Sequence, residues 1–208
     1  MLHPHTELRR INDEVGYGLF ATRLIPLGTI TWALDPLDQI LDPYTSDQLE
    51  DQYHGDIKRY SWVTGQGKRI LCWDFGRFMN HSCEANTYAP GGCEFEIAVR
   101  DIAPGEELTC DYTTLNLEAP LVCQCGTALC RQTIKADDLA AIAVRCDALI
   151  RSAFTHLRTV QQPLWHWVEN NQMEINAMLA CPETIPSVLQ HRWNSSPLVS
   201  AGKSMGYL

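Results

Sequence analysis

Nine cysteines occur in this chain of 208 residues, and three of them lie close together at Cys123, Cys125 and Cys130. A closed structural zinc site needs four tetrahedral sulfur or nitrogen ligands, so a fourth ligand must come from elsewhere. The density of thiols, with Gly126 permitting a tight turn, favours a metal site over three unpaired thiols. Spacing alone leaves four candidates for the fourth ligand: Cys83, Cys93, Cys110 and Cys146.

Two further segments carry side chains suited to binding and catalysis. Asn80-His81-Ser82-Cys83 begins with an amide, which can donate to a carboxylate and accept from an ammonium group, as a ligand with a free amino-acid end requires. Tyr112 ends the segment Glu107–Tyr112. A tyrosine with an ordinary pKa of about 10 stays protonated at neutral pH, so it is better suited to orienting a reactant than to acting as a base.

Gly16-Tyr17-Gly18 predicts a turn at which the backbone can approach a ligand closely. It lacks the third glycine and the following helix of a dinucleotide-binding loop, which argues against a Rossmann cofactor site. Taken singly, this triplet, the asparagine turn and the buried-looking tyrosine are each compatible with ordinary structural roles.

The order of these segments, however, resembles the catalytic core of SET-domain protein lysine methyltransferases. The resemblance extends from Glu7 to Ile134 and includes a post-SET cysteine element. It implies a mainly β fold, a β-clip of several small sheets with a pseudoknot, followed here by a C-terminal helical extension. It also implies S-adenosylmethionine as methyl donor, structural Zn²⁺, and a lysine-containing protein or peptide substrate such as a histone tail.

The resemblance assigns roles to individual residues. Tyr112 is implied as the catalytic residue and Cys83 as the fourth metal ligand. The implied cofactor-binding residues are Gly16, Tyr17, Gly18, Tyr60, Asn80 and His81. Two positions depart from the family pattern: Ala85 replaces a proline, and Cys110 stands where many members carry Phe or Tyr. Because that ring limits how many methyl groups fit, Cys110 predicts room for di- or trimethylation.

Turn residues and hydrophobic periodicity divide the chain into elements. The resemblance implies a SET domain over 7–115 with an insert at about 42–63 and a post-SET element over 120–135. Helical spacing predicts a helical extension over 136–208. The expected strands include 16–21, 29–34, 57–62, 69–73, 95–99 and 107–112. The expected helices are 47–53 with Ser46 as N-cap, 136–157, 163–179 and 186–193.

Composition excludes some function classes. The formal net charge is −9 and no run of Lys and Arg supplies a nucleic-acid footprint, so we expect no direct nucleic-acid partner. No apolar run is long enough to span a bilayer, and the N-terminus does not read as a signal peptide. An odd cysteine count without a signal favours free thiols and a cytoplasmic location. Asn194-Ser195-Ser196 matches the glycosylation pattern, which without a signal is expected to be accidental.

Two other functions fit parts of the sequence. The first is a non-catalytic SET-fold module that binds a peptide; retention of Asn80, His81 and Tyr112 argues against it. The second is a zinc-containing scaffold whose helical tail drives assembly through the Trp165-His166-Trp167 segment. A packed core stripe is the simpler interpretation of those apolar residues, and the oligomeric state stays open.

Overall fold

The computed structural model describes residues 1–53, 56–169 and 172–193, and its strands form four small sheets. In chain order the strands are β1 Thr6–Asn12, β2 Gly16–Ala21, β3 Ile30–Ala33, β4 Gln39–Leu41, β5 Ser61–Val63, β6 Arg69–Leu71, β7 Asn80–His81, β8 Thr87–Tyr88, β9 Phe95–Ala98, β10 Glu107–Cys110, β11 Leu121–Val122 and β12 Thr133–Ile134. The sheets are β1-β2-β10-β7, β3-β9-β8, β4-β6-β5 and β11-β12. The predicted fold class, mainly β with a C-terminal helical region, is confirmed.

The first sheet brings the chemically suggestive segments together. β1 and β2 form a hairpin, and Gly16 has a φ of 85°, a conformation that glycine adopts without strain. β10 pairs antiparallel with β2 and parallel with β7, so that Thr109 faces Asn80 and Cys110 faces His81. Residues far apart in sequence therefore become neighbours at one sheet edge.

Five α-helices lie in the described residues: α1 Pro43–Gln52, α2 Asp56–Tyr60, α3 Leu139–Phe154, α4 Trp165–Val168 and α5 Gln172–Ala180. Three of the predicted helices differ from the structure. α1 begins earlier than expected because Asp42, rather than Ser46, is the N-cap: its side chain accepts from Thr45 N at 3.0 Å. The single helix expected over 163–179 is instead two helices. The region expected to be helical over 186–193 contains a short 3₁₀ helix, Val188–His191.

The strand predicted over 57–62 is wrong, because its first four residues complete α2 before β5 begins at Ser61. Ile57 is buried while Lys58 and Arg59 are exposed. Ile57, Tyr60 and Ser61 have the three- and four-residue spacing of one helix face, a pattern that a short segment does not separate from strand alternation. The strand predicted over 107–112 also ends early, at Cys110, and Tyr112 begins a 3₁₀ helix that reaches Leu115.

The larger hydrophobic core lies between the β3-β9-β8 sheet and the C-terminal helices. Ile30 and Ile97 from the sheet pack in one cluster with Ile150 and Phe154 of α3 and with Val188 of the last 3₁₀ helix. A Cβ on Gly91 would overlap Ser187 O, so the backbone there approaches the C-terminal segment closely. The helical extension therefore completes the core of the sheet region. None of the helices among the described residues has the length and apolar character needed to cross a bilayer.

Candidate active site

A cavity of about 230 Å³ lies where residues 58–63 meet Met79, Glu96 of β9 and Cys110 of β10. Its apolar wall includes Trp32, Trp62 and Met79, and the predicted residues Tyr60, Cys110 and Tyr112 also line it. A cavity of this size with apolar walls and a few polar groups is the usual form of a ligand-binding site.

Tyr112 is held on both its backbone and its side chain. Its hydroxyl donates to Met79 O at 2.8 Å, and its backbone N donates to His81 Nδ1 at 3.1 Å. Asp111 starts the 3₁₀ helix by accepting from Thr113 N and from Thr113 Oγ1. Burial raises the pKa of Tyr112 well above its usual value. The side chain is thus a fixed, protonated hydroxyl at the cavity wall.

His81 connects Tyr112 to the cysteine cluster. Because Nδ1 accepts the Tyr112 backbone N–H, the ring proton belongs on Nε2, which lies 3.4 Å from Cys83 Sγ. Burial lowers the pKa of His81, so the ring is neutral at physiological pH. This side chain is therefore engaged by protein groups through both ring nitrogens.

Asn80 fixes the glycine turn against β7. Its Nδ2 donates to Tyr17 O at 2.9 Å and to Glu107 Oε1 at 2.7 Å. A Cβ on Gly18 would overlap Glu107 Oε1 and would lie 3.0 Å from Asn80 Nδ2. A larger residue at this position would displace these side chains, and the predicted residues Tyr17, Gly18 and Asn80 lie together.

Phe78 links two of the predicted aromatic residues and was not identified from the sequence. Its ring centroid lies 5.9 Å from that of Tyr17 and 5.5 Å from that of Tyr60, both in edge-to-face arrangements. Tyr60 is the last residue of α2 rather than part of a strand. The position of Phe78 directly before Met79-Asn80 was the signal that could have found it.

The four thiols predicted as metal ligands lie together. The sulfurs of Cys83, Cys123, Cys125 and Cys130 are all within 4.8 Å of one another, and Cys83 Sγ lies 3.7 Å from Cys123 Sγ. Zinc–sulfur bonds of about 2.3 Å in a tetrahedron place sulfurs about 3.8 Å apart, so this donor set fits Zn²⁺. The three other candidate ligands lie outside the cluster: Cys93, Cys110 and Cys146.

Two thiols of the cluster differ in how readily they ionise. Burial raises the pKa of Cys123 well above its usual value. Although burial also raises the pKa of Cys125, hydrogen bonds from Thr127 and other neighbours lower it to about 6. A thiol that ionises readily is the form in which cysteine binds metal. The cluster packs on Ile134 of β12 and on the ring of Tyr112.

Arg131 is a second residue that sequence reasoning missed. Its backbone N and its Nε both lie 3.3 Å from Cys83 Sγ, and its Nη2 donates to both carboxylate oxygens of Asp111, at 2.7 and 2.8 Å. It therefore joins a predicted metal ligand to the residue directly before Tyr112. Its place right after Cys130 gave no sign of this contact with Asp111.

Charged groups at one side of the cavity form a separate set. Glu118 pairs with Arg69 and lies 3.2 Å from Lys58 Nζ. Although burial raises the pKa of Glu118, hydrogen bonds from Lys58 and Arg69 lower it overall. Cys110 is buried, and burial raises the pKa of its thiol, so it contributes a small neutral side chain to the wall.

A family model described as SET domain matches residues 16–113, which include most of the residues that line this cavity. This part of the chain is similar to a SET domain. Among curated relatives, Histone-lysine N-methyltransferase ASHH2 of Arabidopsis thaliana is 30% identical over 142 residues. Histone-lysine N-methyltransferase TRX1 of Oryza sativa subsp. japonica is 44% identical over 137 residues.

These alignments cover 62% and 57% of this chain but only 8% and 13% of the two relatives. Among solved structures, the methyltransferase domain of human SETMAR is similar with 22% identity and a TM-score of 0.46, covering 63% of this chain and 58% of that one. The similarity to the relatives supports the predicted SET-domain family.

Proposed function

We propose that this chain is an S-adenosylmethionine-dependent protein-lysine N-methyltransferase that acts on a lysine Nε of a protein or peptide. The observation that carries the proposal is the shared cavity wall of Tyr112, Cys110 and Tyr60. Cys110 lies on β10, which pairs with the β7 strand whose Asn80 holds Tyr17. The relatives named above are histone-lysine methyltransferases, and a histone tail is the first substrate to test.

The residues would hold the methyl donor at the glycine turn and at Asn80. When bound there, S-adenosylmethionine supplies an electrophilic sulfonium methyl group. The space beside Gly16 is open to a ligand, and Asn80 keeps that turn in place. The rings of Tyr17 and Tyr60 both contact the ring of Phe78, so Tyr60 would lie next to the methyl-donor site.

The substrate lysine would enter the cavity beside Tyr112. Apolar walls such as Trp32 and Trp62 disfavour the ammonium form, which lowers the lysine pKa from about 10.4 towards neutrality. The Tyr112 hydroxyl, anchored on Met79 O, orients the resulting amine. The lysine proton leaves to water, so no dedicated base is required. Holding the reactants in line then contributes several orders of magnitude in rate.

Zn²⁺, when bound by the four thiols, supplies a structural cross-link rather than a catalytic centre, because four sulfur ligands leave no open position for water. Through the hydrogen bonds of Arg131 and His81, this cross-link would also restrict the movement of Asp111 and Tyr112. The metal would thus stabilise the wall against which the lysine is positioned.

The test is transfer of tritiated methyl groups to a panel of histones and to an extract of the source organism. We expect Tyr112→Phe to lose on the order of 100-fold in rate, while thermal stabilisation by S-adenosylmethionine persists. Tyr88→Phe is the matched control, because Tyr88 is also buried but does not line the cavity. Equal rates for wild type and Tyr112→Phe would refute the role of Tyr112. Stabilisation by the cofactor without any transfer would favour the non-catalytic binding module.

A further inference from the structure

Glu96 is an acidic side chain within a strand that otherwise supplies the core. In β9, Phe95, Ile97 and Ala98 are buried, whereas Glu96 is partly exposed and lines the same cavity as Tyr112 and Cys110. It also lines an adjoining cavity of about 60 Å³. Acidic residues are rarely placed in apolar surroundings without a partner or a function.

Glu96 is held next to the catalytic wall by a short chain of contacts. Its Oε2 accepts from Thr87 Oγ1 at 2.7 Å, and that hydroxyl lies 3.5 Å from Met79 Sδ. Met79 O in turn accepts from the Tyr112 hydroxyl at 2.8 Å. Met79 is therefore the shared neighbour of the carboxylate and the phenol.

The second carboxylate oxygen, Oε1, accepts no hydrogen bond from any residue that the structure describes. The cationic residues around the cavity are engaged elsewhere. Lys58 and Arg69 lie at Glu118, and the guanidinium groups of Arg59 and Arg77 stack on Tyr60 and Phe78 respectively. Glu96 thus presents an acceptor to the cavity without a cation of the protein to neutralise it.

We infer that Glu96 is a substrate-binding residue whose Oε1 accepts a hydrogen bond from the Nε of the target lysine. This inference rests on the proposed function and names the group that recognises the amine. A carboxylate and an ammonium group form the stronger, charge-assisted type of hydrogen bond. Glu96 would thus bind the lysine in its ammonium form as it enters the cavity, before the Nε loses its proton to water and can react. Burial raises the pKa of Glu96 to about 7, and a cationic ligand would offset that unfavourable burial of charge.

The first experiment tests amine binding without catalysis. The full chain is titrated with n-butylammonium, which has the charge and shape of a lysine side chain, and with neutral n-butanol at constant ionic strength. The indole N–H signals of Trp32 and Trp62, both in the cavity wall, report binding by NMR. We expect the wild type to prefer n-butylammonium over n-butanol by about tenfold or more, and Glu96→Gln to lose that preference.

Glu94→Gln is the matched control. Glu94 has the same charge and lies two residues before Glu96, but its side chain lies outside the larger cavity. It is expected to retain the preference. If Glu96→Gln does not fold, Glu96→Asp keeps the charge but withdraws it by one methylene, and weaker n-butylammonium binding is expected. No preference in the wild type, or an unchanged preference in the Glu96 variants, would overturn the inference.

The second experiment uses methyl transfer. We expect Glu96→Gln to lose about 10- to 100-fold in kcat/KM for the lysine substrate and to keep its affinity for S-adenosylmethionine. A wild type that transfers methyl groups, with a Glu96→Gln variant of equal kcat/KM, would overturn the inference and leave the proposed function standing. A wild type that transfers none would end the proposed function, and the n-butylammonium titration would still decide whether Glu96 is an ammonium site.

Discussion

Replacing Glu96 by glutamine should change how the stability of the protein depends on pH. Burial raises the pKa of this carboxyl from its usual 4.5 to about 7, despite the hydrogen bond from Thr87. The folded chain therefore holds the proton more tightly than the unfolded chain. The associated stability is fully present below about pH 4.5 and is lost as pH rises through about 7.

The magnitude follows from the difference between the two pKa values. Each unit of difference corresponds to about 1.4 kcal/mol, so the full effect is about 3 kcal/mol at most. Glutamine keeps the acceptor for Thr87 Oγ1 and never ionises. The free energy of unfolding of Glu96→Gln relative to wild type should therefore rise by up to about 3 kcal/mol between pH 5 and pH 8.

Urea unfolding of both proteins at several pH values and fixed metal content measures this difference. Glu118→Gln is the control, because the pKa of Glu118 is lowered and its contribution is constant above the usual range of a carboxyl. The difference between Glu118→Gln and wild type should stay flat from pH 5 to pH 8. A Glu96→Gln difference that is equally flat would refute the assignment of a buried, proton-binding carboxyl.

Three other predictions concern the metal, the product and the cofactor. Removing zinc with a chelator, or replacing Cys125 by serine, should lower Tm on the order of 10 °C. Replacing the exposed Cys181 by serine should leave Tm unchanged. Metal analysis should find one zinc per chain, and an unchanged Tm after chelation or in the Cys125 variant would contradict the site. The wild type should form di- or trimethyllysine and Cys110→Phe only monomethyllysine, as judged by mass spectrometry; strictly monomethyl product from the wild type would disprove the role of Cys110. Gly18→Ala should abolish thermal stabilisation by S-adenosylmethionine, because its Cβ would lie 2.7 Å from Ile11 Cδ1 and 3.0 Å from Asn80 Nδ2; full stabilisation would contradict this.

Local sequence patterns predicted the elements that are long or are bounded by clear turn residues. Gly16–Ala21 and the α3 region were recognisable from turn residues and helical spacing. The α2 segment was misread because five residues are too few for the two periodicities to differ clearly. The start of α1 was missed because Asp42 competed with Ser46 as a capping residue, and the preference of Pro43 for the first helical turn decided between them.

Contacts between distant segments could not be worked out from local patterns. The meeting of Asn80 with Thr109 depends on a parallel strand pairing, which no local pattern indicates. Arg131 reaches Cys83 across 48 positions and Asp111 across 20, and no spacing rule connects them. Glu96 read as the polar position of a half-buried strand, because nothing in the sequence indicates that this position faces a cavity.

The hydrophobic core that the β3-β9-β8 sheet forms with the C-terminal helices affects how the protein folds during synthesis. Ile30 and Ile97 have their apolar partners Ile150, Phe154 and Val188 much later in the chain. A nascent polypeptide leaving the ribosome therefore displays the β3-β9-β8 sheet with one uncovered apolar face until α3 and Val188 emerge. The core of this sheet is completed only at that point, and until then the uncovered face favours aggregation.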